Sequence, residues 1–176
     1  IRAESQAPRN SRELAVRNQF FTPRYVVEFL TDNTLGRIWY EMTQGKTAMV
    51  DNCRYLVRRP TEIFLAEDEA TPEKISEQSE NLSQEELVKQ PVYIPFRGLK
   101  DPRELRMLDP ACGSMHFGLY AFDLFEKIYE ETWQLETELG PDAFERSEGL
   151  QALQSSYTSF EEFQRAIPKL IIEQNI

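Results

Sequence analysis

One stretch of this 176-residue chain, residues 105–135, constrains the fold more than any other. A short apolar run from Leu105 to Leu108 leads into Asp109-Pro110-Ala111-Cys112-Gly113-Ser114, and apolar residues at three- and four-residue spacing follow. This order predicts a strand, a loop that contains a glycine, and a long amphipathic helix. Open α/β sheets bind ligands at such strand-to-helix loops. The pattern therefore favours an α/β chain with a ligand-binding loop after this strand.

A second amphipathic helix is predicted upstream. Thr22 would cap its first N–H groups and Pro23 would take its first helical position, where the missing N–H group costs nothing. Apolar residues recur at helical spacing over residues 26–42, and Gly45 would end the helix. Three charged side chains of the opposite face would point outward: Glu28, Asp32 and Arg37.

The segments between these two helices are less regular. Residues 46–65 predict either a short helix or extended pieces around an Arg-Arg-Pro break. Residues 66–90 are rich in Glu, Ser, Gln, Asn and Pro, and they predict a polar insertion with a helical turn at Ser83–Lys89.

The last part of the chain predicts one further helix. Gly140 and the proline after it would end the long helix, and a polar connection would follow over residues 142–158. Ser159 and Glu162 form a capping-box pattern, which predicts a helix as far as about Ala166. We expect residues 159–176 to start the next α/β unit.

Composition excludes several function classes. The chain is 40% hydrophobic and 11% aromatic, which is enough for a core, and its longest apolar runs fall short of the roughly 20 residues of a membrane span. Two cysteines and one histidine provide neither a disulfide framework nor a zinc or multi-histidine site, so we predict no metal. These features favour a cytoplasmic protein without membrane association.

The charge of the chain is unevenly distributed. The net charge of −10 argues against a general binder of phosphate backbones. Residues 1–24 nevertheless carry a local charge of +3, and solvated surface and DNA contact are equally plausible roles for their arginines: Arg2, Arg9, Arg12, Arg17 and Arg24.

Two motifs in the expected order resemble those of adenine-specific N6 DNA methyltransferases. The string Asp-Pro-Ala-Cys-Gly-Ser, followed by Phe117, resembles their S-adenosylmethionine-binding motif, and Phe20-Phe21-Thr22-Pro23 resembles the companion motif upstream. Residues 52–60 and 119–125 are also similar to the methyltransferase of the BREX phage-defence systems, the PglX family. The resemblance covers roughly residues 11–135 and 165–176.

The resemblance implies a partial Rossmann-like, S-adenosylmethionine-dependent methyltransferase domain with N-terminal helices, predominantly helical in this chain. Residues 19–45 would form the upstream cofactor motif and its helix, and residues 105–135 the cofactor-loop unit. The family usually has a second glycine where Met115 stands, so the loop would be narrower or shifted, or Met115 would pack against the cofactor or its neighbours. The implied cofactor-binding residues are Phe21, Thr22, Pro23, Asp109, Pro110, Ala111, Cys112, Gly113 and Ser114.

The motif that holds the target adenine in this family is absent from the sequence. Such enzymes use Asn- or Asp-Pro-Pro-aromatic, and this chain contains no Pro-Pro pair. We therefore assign no catalytic residue and interpret residues 1–176 as the N-terminal portion of a methyltransferase domain. The parent protein would methylate adenine N6 in double-stranded DNA, in restriction-modification or phage defence, with other phage-defence proteins as candidate partners.

Two other functions remain open. The first alternative is a non-catalytic interaction or scaffold module that retains a methyltransferase-like fold. The second, which has less support, is a nucleotide-binding unit. For individual side chains the simpler interpretations are loop packing for Cys112 and a surface or packed position for His116. The aromatic residues of the long helix are interpreted as core: Tyr120, Phe122, Tyr129 and Trp133.

Overall fold

A computed structural model describes residues 10–13, 22–72 and 83–176 of the chain. Phe21, Arg2, Arg9 and Arg17 lie outside these residues. The described part is mostly helical and includes one two-stranded parallel sheet. No helix in the described ranges is both long and apolar enough to cross a membrane.

The helices are α1 (Arg24–Thr31), α2 (Arg37–Met42), α3 (Met49–Asn52), α4 (Gln84–Lys89), α5 (His116–Leu139), α6 (Leu153–Ser156) and α7 (Phe160–Leu170). Two π-helical turns occupy Asp32–Gly36 and Ile171–Asn175, and two 3-10 turns occupy Pro102–Glu104 and Pro141–Ala143. The strands are β1 (Glu62–Phe64) and β2 (Val92–Ile94), which pair in parallel with Ile63 opposite Tyr93.

Helix α5 forms the centre of the core, as its apolar spacing predicts. Phe125, Ile128 and Tyr129 on its inner face are fully buried. Trp133 stacks on Phe163 of α7 with ring centroids 4.9 Å apart. The helix ends where Gly140 adopts a φ of +89°, which confirms the predicted end. Tyr129 is buried in the core, and Tyr120, Phe122 and Trp133 pack against it, also as predicted.

Helix α1 begins one residue later than predicted. Pro23 is the N-cap residue, with a φ of −57° and a ψ of 140°, and its carbonyl accepts from the N–H of Val26 at 2.9 Å. No side-chain hydrogen bond caps the helix, so the predicted capping by Thr22 is wrong. At the other end, the N–H of Gly45 donates to the Tyr40 carbonyl in a left-handed turn, which confirms the predicted stop.

The prediction that Asp32 points outward is also wrong. Asp32 opens the π-helical turn between α1 and α2 and is fully buried, whereas Leu30 is 46% exposed. The carboxylate can be buried because the N–H of Tyr55 and the hydroxyl of Tyr120 both donate to it at 2.8 Å. The apolar periodicity assigns every carboxylate to the solvent-facing side of a helix. The predicted buried face is therefore rotated by about one residue from the observed one.

The predicted strand at Leu105–Leu108 does not form in the structure. Leu105 is extended, but this segment has no ladder partner among the described residues, and the N–H of Met107 donates instead to the carbonyl of Asn175 at 2.7 Å. A strand needs a neighbouring strand to pair with, and here the neighbour is a helical turn. Residues 46–65 contain both predicted alternatives, a short helix (α3) and an extended piece (β1).

The helices predicted to start at Ser83 and at Ser159 are both present. Helix α4 follows Ser83, as predicted. Ser159 caps α7 by accepting from the N–H of Glu162 at 3.2 Å, which confirms that cap. Helix α7 passes Ala166 and Pro168 to reach Leu170, so the predicted end is wrong.

The helix continues past Pro168 because the residues beyond it are anchored in the core. Ile171 and Asn175 in the following π-helical turn are buried. The Asn175 amide donates to the carbonyls of Pro102 and Leu105, and its oxygen accepts from the Tyr129 hydroxyl at 2.9 Å. These contacts outweigh the hydrogen bond that the proline removes.

Candidate cofactor site

The loop that leads into α5 has the backbone geometry that its glycine predicts. The carboxylate of Asp109 accepts from the N–H of Ala111 at 3.0 Å through Oδ1, which starts the turn. Gly113 has a φ of +51° and Met115 a φ of +63°, so two of the residues just before α5 are left-handed. The residues from Ala111 to Ser114 are exposed, so the loop presents its backbone to solvent.

Asp109 lines a cleft of about 310 Å³ between this loop and α1, called here the Asp109 cleft. Two buried polar atoms in its walls, Oδ2 of Asp109 and Oγ1 of Thr31, have no hydrogen-bond partner among the described residues. Unpaired buried polar groups are rare and carry a large desolvation penalty, so these two atoms fit a ligand that brings hydrogen-bond donors. The cleft is lined by Leu30, Thr31, Thr34, Met107, Leu108, Asp109, Pro110 and Phe117.

Thr22 lies in a different cleft, of about 450 Å³, between the start of α1 and the start of α5. We call it the Thr22 cleft, and it is lined by Thr22, Arg24, Val27, Glu28, His116, Leu119, Tyr120 and Asp123. The two motifs therefore approach the interface of α1 and α5 from two clefts rather than sharing one. Cofactor binding by Thr22, Pro23 and residues 109–114 stays a prediction, and Phe21 lies outside the described residues.

A third cleft, of about 440 Å³, lies on the other side of Arg24 and is called the Arg54 cleft. It shares Arg24, Glu28 and Tyr120 with the Thr22 cleft, so the two clefts adjoin at the start of α1. The Arg24 guanidinium pairs with Glu28 at 2.6 Å along this boundary. The Arg54 cleft is lined by Arg24, Tyr25, Glu28, Asn52, Arg54, Tyr55 and Tyr120.

Asp32 holds the wall that the Thr22 and Arg54 clefts share. Burial and the hydrogen bond to the negatively charged Asp32 raise the pKa of Tyr120, so the phenol stays protonated and donates its hydrogen bond. Burial, with Asp32 as the second cause, raises the pKa of Cys53 to about 12. Sequence reasoning missed this cluster, because an acidic residue one turn after Glu28 is typical of a solvated helix face.

The remaining candidate side chains have simple surroundings. Cys112 is exposed, so the prediction of loop packing for it is wrong. The ring of His116 is half-buried at the first turn of α5, 3.2 Å from the Ser114 hydroxyl, in agreement with a surface or packed position. No group of three or more His, Cys, Asp or Glu side chains within the described ranges could hold a metal ion.

Two curated proteins match the chain in sequence. It is 29% identical over 121 residues, 69% of the chain, to the adenine-specific methyltransferase BrxX of Escherichia coli O9:H4 (strain HS). It is 25% identical over 137 residues, 78% of the chain, to the adenine-specific methyltransferase PglX of Lacticaseibacillus casei (strain Zhang). The chain resembles adenine-specific methyltransferases. This result confirms the resemblance that the motifs indicate.

The matched regions are a small part of these relatives. They span 8% of BrxX and 10% of PglX. No protein-family model matches the chain.

Proposed function

We propose that this chain is the S-adenosylmethionine-binding part of a DNA adenine N6-methyltransferase that acts in restriction-modification or phage defence. Two relatives that are named adenine-specific methyltransferases support the activity. The observation that carries the cofactor assignment is the buried, unpartnered Oδ2 of Asp109 at the start of the motif. A carboxylate oxygen in this state fits an ammonium or hydroxyl donor, and S-adenosylmethionine has both.

The residues of the chain would bind and orient rather than react. The bound cofactor supplies an electrophilic methyl group on its sulfonium. Asp109 would accept a hydrogen bond from the cofactor, while the left-handed Gly113 leaves the loop backbone open to close approach. Tyr120, fixed by Asp32, would keep the wall of the Thr22 cleft rigid. Methyl transfer depends chiefly on such positioning.

We further propose that the adenine-binding motif lies in another part of the parent protein. The sequence contains no Pro-Pro pair, and the matches span a tenth or less of the relatives' lengths. Residues 1–176 alone should therefore bind the cofactor weakly and should not transfer methyl groups to DNA. The fold around the cofactor would be of the Rossmann-like type, completed by strands that this chain does not contain.

The test is an NMR titration of residues 1–176 with S-adenosylmethionine, because NMR detects weak binding. We expect the amide signals of residues 109–114 to shift, and Asp109→Ala to weaken binding by about 1–3 kcal/mol through loss of a charge-assisted hydrogen bond. Gly113→Val should abolish binding, since a branched side chain is strained at a φ of +51°. His116→Ala should change little.

A matched control separates loop strain from a specific site. Gly149 also has a positive φ, +86°, in an exposed turn with no atom near its added Cβ. Gly149→Val should leave the titration unchanged. If a folded Gly113→Val protein gave the same shifts as the original chain, the cofactor assignment would have to be abandoned.

The scaffold alternative has one observation in its favour. Met115 occupies the position of the family's second glycine, and its side chain lies against Gly118. A protein that has lost cofactor binding would tolerate this side chain at the loop. Absence of cofactor binding in both the chain and a longer protein that contains it would favour this alternative.

A further inference from the structure

Residues 52–59 form a basic segment in an acidic chain. The segment Asn-Cys-Arg-Tyr-Leu-Val-Arg-Arg contains three arginines and no acidic residue, whereas the chain as a whole has a net charge of −10. Asp51 immediately precedes it, and Glu62, which follows it, pairs with Arg37. The positive charge is therefore concentrated within the segment itself.

The three arginines of this segment are available for a partner. Arg54, Arg58 and Arg59 are exposed, and none forms an ion pair with another described residue. The Arg54 guanidinium lies over the Tyr55 ring, 5.3 Å from its centroid, which limits its orientations. By contrast, Arg103 and Arg146 are mostly buried in ion pairs with Asp101.

Side chains of the π-helical turn and of Arg37, the first residue of α2, fix the backbone of the segment. Asp32 accepts from the N–H of Tyr55, and Asn33 accepts from the N–H of Val57 and donates to the carbonyl of Tyr55, each at 2.8 Å. Arg37 donates to the carbonyl of Val57 at 3.0 Å. An irregular segment held by four such bonds loses little conformational entropy when a partner binds to it.

The segment borders the Arg54 cleft, which adjoins the Thr22 cleft of the candidate cofactor site. Tyr25, 60% exposed, and Asn52 complete the rim with an aromatic ring and an amide. A fixed surface of arginines, a tyrosine and an amide is the combination that proteins use to contact a nucleic-acid backbone. We define the Arg54 surface as Tyr25, Asn52 and Arg54, which line this cleft, together with Arg58 and Arg59, which follow in the same basic segment.

We propose that the Arg54 surface binds the sugar–phosphate backbone of the duplex DNA on which the methyltransferase acts, an inference that rests on the proposed function. The arginines neutralise phosphates, and the fixed backbone of residues 52–59 sets the position of the duplex. Because the Arg54 cleft adjoins the Thr22 cleft, a duplex on this surface passes beside the start of α1 and α5. Phosphate contacts of this kind orient the DNA without selecting its sequence.

The test measures binding of a short fluorescein-labelled DNA duplex to residues 1–176 by anisotropy at several salt concentrations, without cofactor. Arg54→Ala/Arg58→Ala/Arg59→Ala should weaken binding and lower the salt slope by about 0.9 for each arginine that contacts a phosphate. The matched control, Arg106→Ala/Arg165→Ala/Lys169→Ala, removes the same charge from exposed positions elsewhere. It should keep the original slope. Circular dichroism should show both variants folded, since all six side chains are exposed.

Several outcomes would overturn the inference. It fails if the original chain does not bind the duplex at low salt, or if both triple variants lose affinity equally, which would show a general charge effect. It also fails if polyglutamate competes as well as unlabelled duplex, which would indicate an acidic protein partner. Cofactor binding is a separate readout: shifts at residues 109–114 without DNA binding at the Arg54 surface would refute this inference and leave the proposed function standing.

Discussion

At the scale of single residues, Met115 has a backbone conformation that favours glycine. It precedes α5 with a φ of +63° and a ψ of +23°, and its N–H donates to the Cys112 carbonyl at 2.7 Å. For a residue with a side chain this left-handed state costs about 1–2 kcal/mol. Glycine would adopt this conformation without that cost, because it has no Cβ to clash.

We predict that Met115→Gly stabilises the chain. Relief of the left-handed strain should exceed the extra unfolded-state entropy of glycine and raise the free energy of unfolding by about 0.5–1 kcal/mol. Urea denaturation followed by circular dichroism measures this change. Met115→Ala is the control, since it removes the side chain and keeps the strain, and it should not stabilise. Equal stability of the two variants would contradict the interpretation of Met115 as strained.

At the scale of elements, the π-helical turn Asp32–Gly36 has a tight contact with the segment after α3. Gly36 is buried, and a Cβ added there would lie 2.8 Å from Sγ of the buried Cys53. Asp32 and Asn33 of the same turn fix the backbone of the segment at Tyr55 and Val57. The close approach at Gly36 therefore sets how near the Arg54 surface lies to the helix.

We predict that Gly36→Ala destabilises the chain by about 1–3 kcal/mol, because the buried sulfur has little room to move. The free energy of unfolding should be measured in a double-mutant cycle with Cys53→Ala. Removing the sulfur relieves the clash, so Gly36→Ala should cost much less in the Cys53→Ala background. A cost that is the same in both backgrounds would show that Cys53 is not the obstacle.

A second element, the 3-10 turn Pro102–Glu104, is tied to the segment after α5 by a buried ion network. The fully buried Asp101 accepts three charged hydrogen bonds at 2.8 Å: Arg103 donates to both of its oxygens, and Arg146 donates to Oδ2. Burial alone would raise the pKa of Asp101, but the bonds and charges of the two arginines outweigh it and hold that pKa below its ordinary value.

We predict that Asp101→Asn lowers stability at neutral pH by about 3 kcal/mol and flattens the acid limb of the stability curve. A carboxylate with a depressed folded pKa stabilises above its unfolded pKa of about 3.9, and this stabilisation is lost as the pH falls through the folded pKa. Urea denaturation between neutral and acid pH measures it. Asp142→Asn at an exposed position is the control and should leave the curve almost unchanged.

The elements also show what a sequence can and cannot predict. Helix α5 is predictable because one apolar stripe continues through all 24 of its residues. The helix end at Gly140 and the helix cap at Ser159 are predictable because each depends only on residues close by in sequence. Burial of Asp32 is not predictable, because its partner Tyr120 is 88 positions away in sequence. The prediction of a strand at Leu105–Leu108 is wrong for a similar reason, because strand pairing depends on which element lies beside the segment in the fold.

The candidate site also has features that the sequence predicts and features that it does not. The left-handed Gly113 follows from the motif, and the position of Asp109 at the start of the loop follows from the order of elements. The separation of Thr22 and Asp109 into two clefts does not, because it depends on how α1 packs against α5. Residues far apart in sequence meet only through that packing.

At the scale of the whole molecule, apolar side chains near the start of α5 and the end of the chain remain exposed. Met115 and Ile176 both lie beside Gly118, and Leu119 is 62% and Ile172 66% exposed. The two strands are only three residues long, so their edges offer little for association. Contact between copies should therefore come from this apolar patch, defined as Met115, Leu119, Ile172 and Ile176.

We predict that residues 1–176 self-associate through the apolar patch in a concentration-dependent way, because burying exposed apolar side chains is favourable. Sedimentation velocity should show a weight-average mass that rises with concentration. Leu119→Ser/Ile172→Ser should shift the distribution towards monomer, whereas Val88→Ser, at a side chain 59% exposed on α4, should not. Association that is equally strong in both variants would place the contact elsewhere, and a monomer at every concentration would show that this patch is too small to hold two copies together.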